Sequence, residues 1–200
     1  MPTVFVRKSR RGDWDKVTDQ TAVDLSFPAN VLSDILDDEN EISVWEVSED
    51  LDAEELDLIV AALHGRNTGS LSEVTLRVIS GWKVKTDLKL TMKKTKGGSL
   101  DEKLNSAGKH EVIQISTVGE AIALAKAFKA KPPIFYSQEK VMRAMASSIA
   151  SGRIKTENIS SSLMKKLFEG GHLQLRVLPD EPSEAQQANS DNVAAEPAKT

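Results

Sequence analysis

The pattern of hydrophobic and polar residues predicts a series of short strands, because the two kinds alternate within stretches rich in β-branched and aromatic residues. These stretches are Thr3–Arg7, Val23–Phe27, Ile42–Val47, Glu73–Ile79, Trp82–Met92, Val112–Ile115 and His172–Leu178. The first two are predicted to pair as a hairpin with a long loop. The alternation over Trp82–Met92 is the clearest strand pattern in the sequence, and its polar side is rich in lysine.

Apolar residues at helical spacing predict five amphipathic helices between and after these strands. Their apolar stripes fall within residues 31–36, 56–63, 118–128, 141–149 and 159–168. Asp52 with Glu55, and Thr117 with Glu120, have the spacing of a capping box at the start of a helix. The strand, helix and strand within residues 42–79 are long enough for a crossover connection, which favours a parallel pair of strands there.

Together these elements predict an α+β protein, with an antiparallel or mixed sheet, amphipathic helices packed on it and a helical C-terminal part. We divide the chain into an acidic α/β part over residues 1–80, a basic part over residues 81–178 and a tail over residues 179–200. The basic part holds the lysine-rich strand, a Gly-, Ser- and Lys-rich flexible loop over residues 93–110, and helices. One continuous domain over the first two parts is the alternative. The acidic tail has little to bury and is predicted to be disordered.

The composition excludes several classes of function. The chain has no cysteine, which rules out disulfides, thiolate metal sites and a cysteine nucleophile and fits a reducing cytoplasm. No apolar run approaches the ~18 residues of a membrane span, so we expect a cytoplasmic protein without a membrane partner. The common nucleotide, hydrolase and zinc motifs are missing, so we assign no catalytic residue, metal or cofactor and favour a non-enzymatic role.

Aromatic residues make up only 4% of the chain, which argues against the binding of single strands by base stacking. The three tryptophans are interpreted as core or interface anchors. Trp14 lies close to Arg10 and Arg11 in a polar stretch and is the candidate for an exposed contact.

Charge is divided unevenly along the chain. Residues 13–57 hold sixteen acidic residues and one basic residue, whereas residues 58–176 hold twenty basic and nine acidic residues. The net charge of −4 therefore hides a basic half, and such asymmetry points to a polyanionic partner such as nucleic acid.

Two groups of basic residues are candidates for contacts with nucleic acid. On the predicted strand, Lys83, Lys85 and Lys89 would lie about 7 to 13 Å apart on one face and could follow phosphates. The loop extends this row with Lys93, Lys94 and Lys96. The alternative is that these lysines protect an exposed sheet edge or are simply solvated.

The second group lies in the C-terminal helices, which have the element order of a winged helix-turn-helix: two helices with a tight link, then a strand. Its basic residues are Arg143, Arg153, Lys155, Lys165 and Lys166. Ordinary helix packing is the alternative, since helix pairs with a Gly-containing turn are common.

The sequence therefore favours a non-enzymatic, nucleic-acid-binding accessory protein of a bacterial or phage complex that acts through its basic half. The alternative is an adaptor or inhibitor that docks its acidic N-terminal half onto a basic protein or onto another copy of the chain. The candidate residues for that contact are Asp37, Asp38, Glu39 and Glu41.

Overall fold

A six-stranded sheet forms the centre of the fold. The computed structural model describes residues 3–9, 13–18, 27–36, 40–64, 72–101, 104–105 and 109–174. Its strands are β1 Val4–Ser9, β2 Glu41–Val47, β3 Val74–Ser80, β4 Met92–Lys94, β5 His110–Gln114 and β6 Ile134–Tyr136. They are ordered β4-β5-β2-β1-β3-β6, and every neighbouring pair is antiparallel.

Four of the five described α-helices begin at a side-chain cap, and the first begins after Pro28 without one. The α-helices are α1 Ala29–Ile35, α2 Ala53–His64, α3 Val118–Lys129, α4 Gln138–Ala150 and α5 Ser161–Glu169. Thr117 and Glu120 form the predicted capping box at the start of α3. Before α2, Asp52 accepts a hydrogen bond from the backbone N–H of Glu55 as predicted, but the carboxylate of Glu55 accepts from the N–H of Ser48 instead.

Both faces of the sheet are buried by helices, so the fold has three layers. Successive residues of a strand point to opposite faces, and in β1 Val4 and Val6 pack towards α2, α4 and α5, whereas Phe5 packs towards α1 and α3. The strands of residues 1–80 and of residues 81–178 share this one sheet. The predicted α+β class, with helices packed on an antiparallel sheet, is confirmed.

The predicted parallel pair within residues 42–79 is wrong. β2 and β3 run in the same direction, but β1 lies between them and pairs antiparallel with both. A local pattern cannot reveal this arrangement, because the inserted strand comes from an earlier part of the chain.

The predicted strand over Trp82–Met92 is also wrong. The chain turns into a helical conformation at Gly81 and Trp82 and forms a π-helical turn over Lys83–Asp87. Val84 is buried in the apolar cluster that contains Phe5, and Leu88 packs against the same cluster and is partly buried. Their separation of four residues suits a helical turn as well as a strand. Of the predicted range, only Met92 belongs to a strand.

The structure also differs from the sequence prediction in one strand and in the long loop. β6, in the sequence that follows Pro132 and Pro133, was not predicted. In the predicted loop over residues 93–110, Asp101 and Leu104 are buried. Residues 172–174 are not in a strand, and residues 23–26, 175–178 and the predicted tail lie outside the described residues. No helix in the described ranges is long and apolar enough to cross a membrane.

Candidate functional site

The segment that follows β3 is held firmly against the sheet at its first residue. The backbone N–H of Gly81 donates a hydrogen bond to the carbonyl of Thr3 over 2.7 Å. A Cβ at this position would lie 2.8 Å from Cε2 of Phe5, which is itself fully buried. Only glycine can pass so close, and it fixes the point at which the chain leaves the sheet.

Further along the segment, backbone hydrogen bonds and one apolar side chain continue this anchoring. The N–H of Leu88 donates to the carbonyl of Lys83, and the N–H of Leu90 donates to the carbonyl of Val84, each over 3.0 Å. Val84 is fully buried against the face of the sheet that carries Phe5. The polar side chains of this segment are therefore presented to solvent from a fixed backbone.

Lysines occur along this segment and in the edge strand that comes after it. β4 is an edge strand, and it places Lys93 opposite Val112 and Lys94 opposite Glu111 of β5. Within residues 81–96, five lysines are exposed and have no ion pair with any described residue. We call this set the basic edge; it consists of Lys85, Lys89, Lys93, Lys94 and Lys96. Lys83 differs, since its ammonium lies 2.6 Å from the carboxylate of Asp87.

The basic candidates of the C-terminal helices are placed differently. Arg143 pairs with Glu139, Lys165 with Glu169 at 3.6 Å, and Arg153 with Asp101 at 2.8 Å. Asp101 is buried, so Arg153 compensates an interior charge. Lys155 and Lys166 are exposed and also interact with other residues. Much of the charge in this group is compensated within the protein.

The geometry of a winged helix-turn-helix is not complete within the described residues. α4 packs along α2, and a short helical turn at Thr156–Asn158 lies between α4 and α5. Residues 172–174, where the following strand was predicted to begin, are bends or have no regular structure.

Of the four acidic candidates, Glu41 lies within the described residues. Asp37, Asp38 and Glu39 lie outside the described residues. Glu41, at the start of β2, accepts a hydrogen bond from the side-chain amide of Gln114 across the strand pair over 3.3 Å.

A cleft of about 720 Å³ lies between α2, α4, Leu104 and Lys109. It contains Asp52, Glu54 and Glu55 from the start of α2, and Lys109 and Arg153 from the opposite side. Burial alone would raise the pKa of Glu55, but hydrogen bonds from Lys109 and from the N–H of Ser48 outweigh it and lower that pKa. Both basic residues of the cleft are paired with carboxylates, one with Glu55 and one with Asp101, so they serve internal compensation.

The three tryptophans differ in their exposure to solvent. Trp14 and Trp45 are buried, with exposed fractions of 2% and 7%, and so Trp14 is not the exposed contact that the sequence suggested. Trp82, immediately after Gly81, has an exposed fraction of 59%. Sequence reasoning missed it because the alternating pattern placed Trp82 on the apolar side of a strand, and the Gly-Trp junction was the available signal of a turn.

No family model, curated protein or solved structure was found to match this chain. Within the part of the chain that the structure describes, no group of three or more His, Asp or Glu residues could hold a metal ion.

Proposed function

We propose that this chain is a non-enzymatic nucleic-acid-binding accessory protein and that it contacts the phosphate backbone through the basic edge. The observation that carries the proposal is the set of five exposed lysines, all within twelve consecutive residues and none ion-paired with a described residue. Lysines that neutralise phosphates release condensed counterions, and this release favours binding. Lysines already paired with carboxylates contribute less, because the existing pair must first be broken.

Protection of the sheet edge does not explain the whole set. Lysine on an edge strand discourages pairing with another chain, and Lys93 and Lys94 of β4 suit that role. Lys85, Lys89 and Lys96 lie outside the strand and protect no edge. Binding along a polyanion would use the lysines at all five positions.

Fluorescence anisotropy with labelled single-stranded and duplex DNA, measured over a salt series, tests the proposal. The test variant changes Lys89, Lys93 and Lys94 to Gln. The matched control changes Arg143, Lys165 and Lys166 to Gln, which removes the same charge from the helical part. Each lost phosphate contact reduces the magnitude of the slope of log affinity against log salt by about 0.7 to 0.9, so we expect the three substitutions to reduce it by about 2 to 3.

We expect the control variant to keep the native affinity and salt slope. Equal losses in both variants would show that binding follows net charge and not the basic edge. Absence of binding by the native protein at low salt would contradict the proposal and favour the protein-docking alternative through the acidic half.

A further inference from the structure

Trp82 is the most exposed of the large hydrophobic side chains that the structure describes, with an exposed fraction of 59%. Its exposure is a consequence of the anchoring around it, because Gly81 is fixed to Thr3 and Val84 is buried beneath the turn. The indole cannot fold back into the core without moving this backbone. A large aromatic side chain held outward in this way is typical of a contact with a ligand.

The charge around Trp82 indicates what kind of ligand it contacts. Lys85 follows three residues later on the helical turn, where side chains are neighbours, and the rest of the basic edge follows along the chain. Asp87 is the one acidic residue between Trp82 and Lys96, and it is already paired with Lys83. This lysine-rich stretch of the chain suits a polyanion that also has flat apolar faces, and nucleobases on a phosphate chain have both properties.

We propose that Trp82 stacks on an unpaired nucleobase of a strand whose phosphates lie along the basic edge, so that the surface prefers single-stranded nucleic acid to duplex. Aromatic rings stack on any base because every base has a π face, whereas bases inside a duplex are already stacked on one another. The low aromatic content argued against a stacking platform of several rings, but one exposed ring is sufficient for one contact. This inference rests on the proposed function.

Two substitutions of Trp82 test the inference, with three probes: an oligothymidylate, a duplex of the same length and inorganic polyphosphate. We expect Trp82→Ala to weaken binding of the oligothymidylate about 5- to 150-fold, the effect of one lost base–aromatic stack. Binding of duplex and polyphosphate should be unchanged, since neither offers an unpaired base. Trp82→Phe keeps an aromatic face and should retain most of the native affinity.

Tryptophan fluorescence gives a second readout that does not depend on the affinities of variants. The emission that the native protein has and Trp82→Phe lacks belongs to the exposed indole. We expect the oligothymidylate to quench this component and polyphosphate to leave it unchanged.

The possible failures can be told apart. If Trp82→Ala binds the oligothymidylate as tightly as the native protein while the Lys89, Lys93 and Lys94 variant loses binding, stacking is refuted and the proposed function stands. Equal weakening for all three probes would also refute stacking, because the loss would then not depend on bases. If the native protein binds no nucleic acid, both proposals are refuted.

Discussion

At the scale of single residues, the buried Arg77 and the partly buried Arg7 lie beside one buried carboxylate. Arg7 of β1 and Arg77 of β3 face each other in register. The carboxylate of Asp34 lies 3.3 Å from Nη2 of Arg7 and accepts a hydrogen bond from the indole N–H of Trp14, also over 3.3 Å. The guanidinium of Arg77 lies 4.5 Å from the centre of the Trp14 ring, and its burial lowers its pKa. This network ties α1 and the turn at Trp14 to the sheet.

Removal of the shared carboxylate should therefore be costly. We expect Asp34→Asn to lower the free energy of unfolding by about 3 to 5 kcal/mol, because it removes the buried carboxylate that pairs with the partly buried Arg7. The control is Asp87→Asn, which breaks the exposed pair with Lys83 and should cost no more than about 1 kcal/mol. Urea unfolding of both variants measures the difference, and equal costs would contradict this role of Asp34.

The burial of His110 predicts a dependence of the protein's stability on pH. It is buried at the start of β5, its ring centre lies 4.8 Å from that of Trp45, and its Nδ1 lies 2.8 Å from the hydroxyl of Thr95. Burial lowers the pKa of His110 below the usual value of 6.5, and a hydrogen bond to the carbonyl of Thr95 offsets only part of this effect. The unfolded chain therefore binds a proton more readily than the folded protein does.

The free energy of unfolding should therefore fall as the pH drops from about 6.5 towards the lowered pKa of His110 in the folded state. Above pH 6.5 this contribution to stability should be fully retained. We expect His110→Asn to be less stable than the native protein at pH 7.5 but to lose less stability between pH 7.5 and pH 5.5. Thermal unfolding at both pH values measures this, with His172→Asn, at a partly exposed position, as the control. An unchanged pH dependence in His110→Asn would show that another group is responsible.

At the scale of elements, the sequence was a good guide where the signals were local. The capping box at Thr117 and Glu120 is made by neighbouring residues, and α3 begins where this box predicted it. The turn after β3 was missed because Val84 and Leu88 fit two periodicities, and the packing of Phe5 against Gly81 decides between them. The lysines could thus be named from the sequence, but the backbone conformation that exposes them could not be predicted.

A substitution at Gly81 tests the close packing of the turn after β3 against Phe5. We expect Gly81→Ala to lower the free energy of unfolding by about 1 to 3 kcal/mol, since the added Cβ would press on the buried ring of Phe5. Gly119→Ala in the first turn of α3 is the matched control, because its Cβ would have 3.8 Å to the nearest atom and should be neutral or slightly stabilising. Gly81→Ala should also shift the emission of Trp82, and similar stabilities of the two variants would contradict the close packing at Gly81.

At the scale of the whole molecule, one antiparallel sheet covered on both faces unites the acidic and basic parts of the sequence. The class of fold could be predicted because each element has its own periodicity. The order of strands could not, since β1 is inserted between β2 and β3 by pairing over long range. In the same way, net charge by segment indicated a basic half, but only the ion pairs of the folded chain distinguish the basic edge from the compensated residues of the helical part.

The most direct test of the basic edge is lysine footprinting, in which acetylation of each lysine is measured by mass spectrometry with and without bound oligothymidylate. We predict that the oligonucleotide protects the lysines of the basic edge, Lys85, Lys89, Lys93, Lys94 and Lys96, and leaves the acetylation of Lys165 and Lys166 unchanged. Protection confined to Lys165 and Lys166, or no protection under conditions in which the oligonucleotide is bound, would contradict the account.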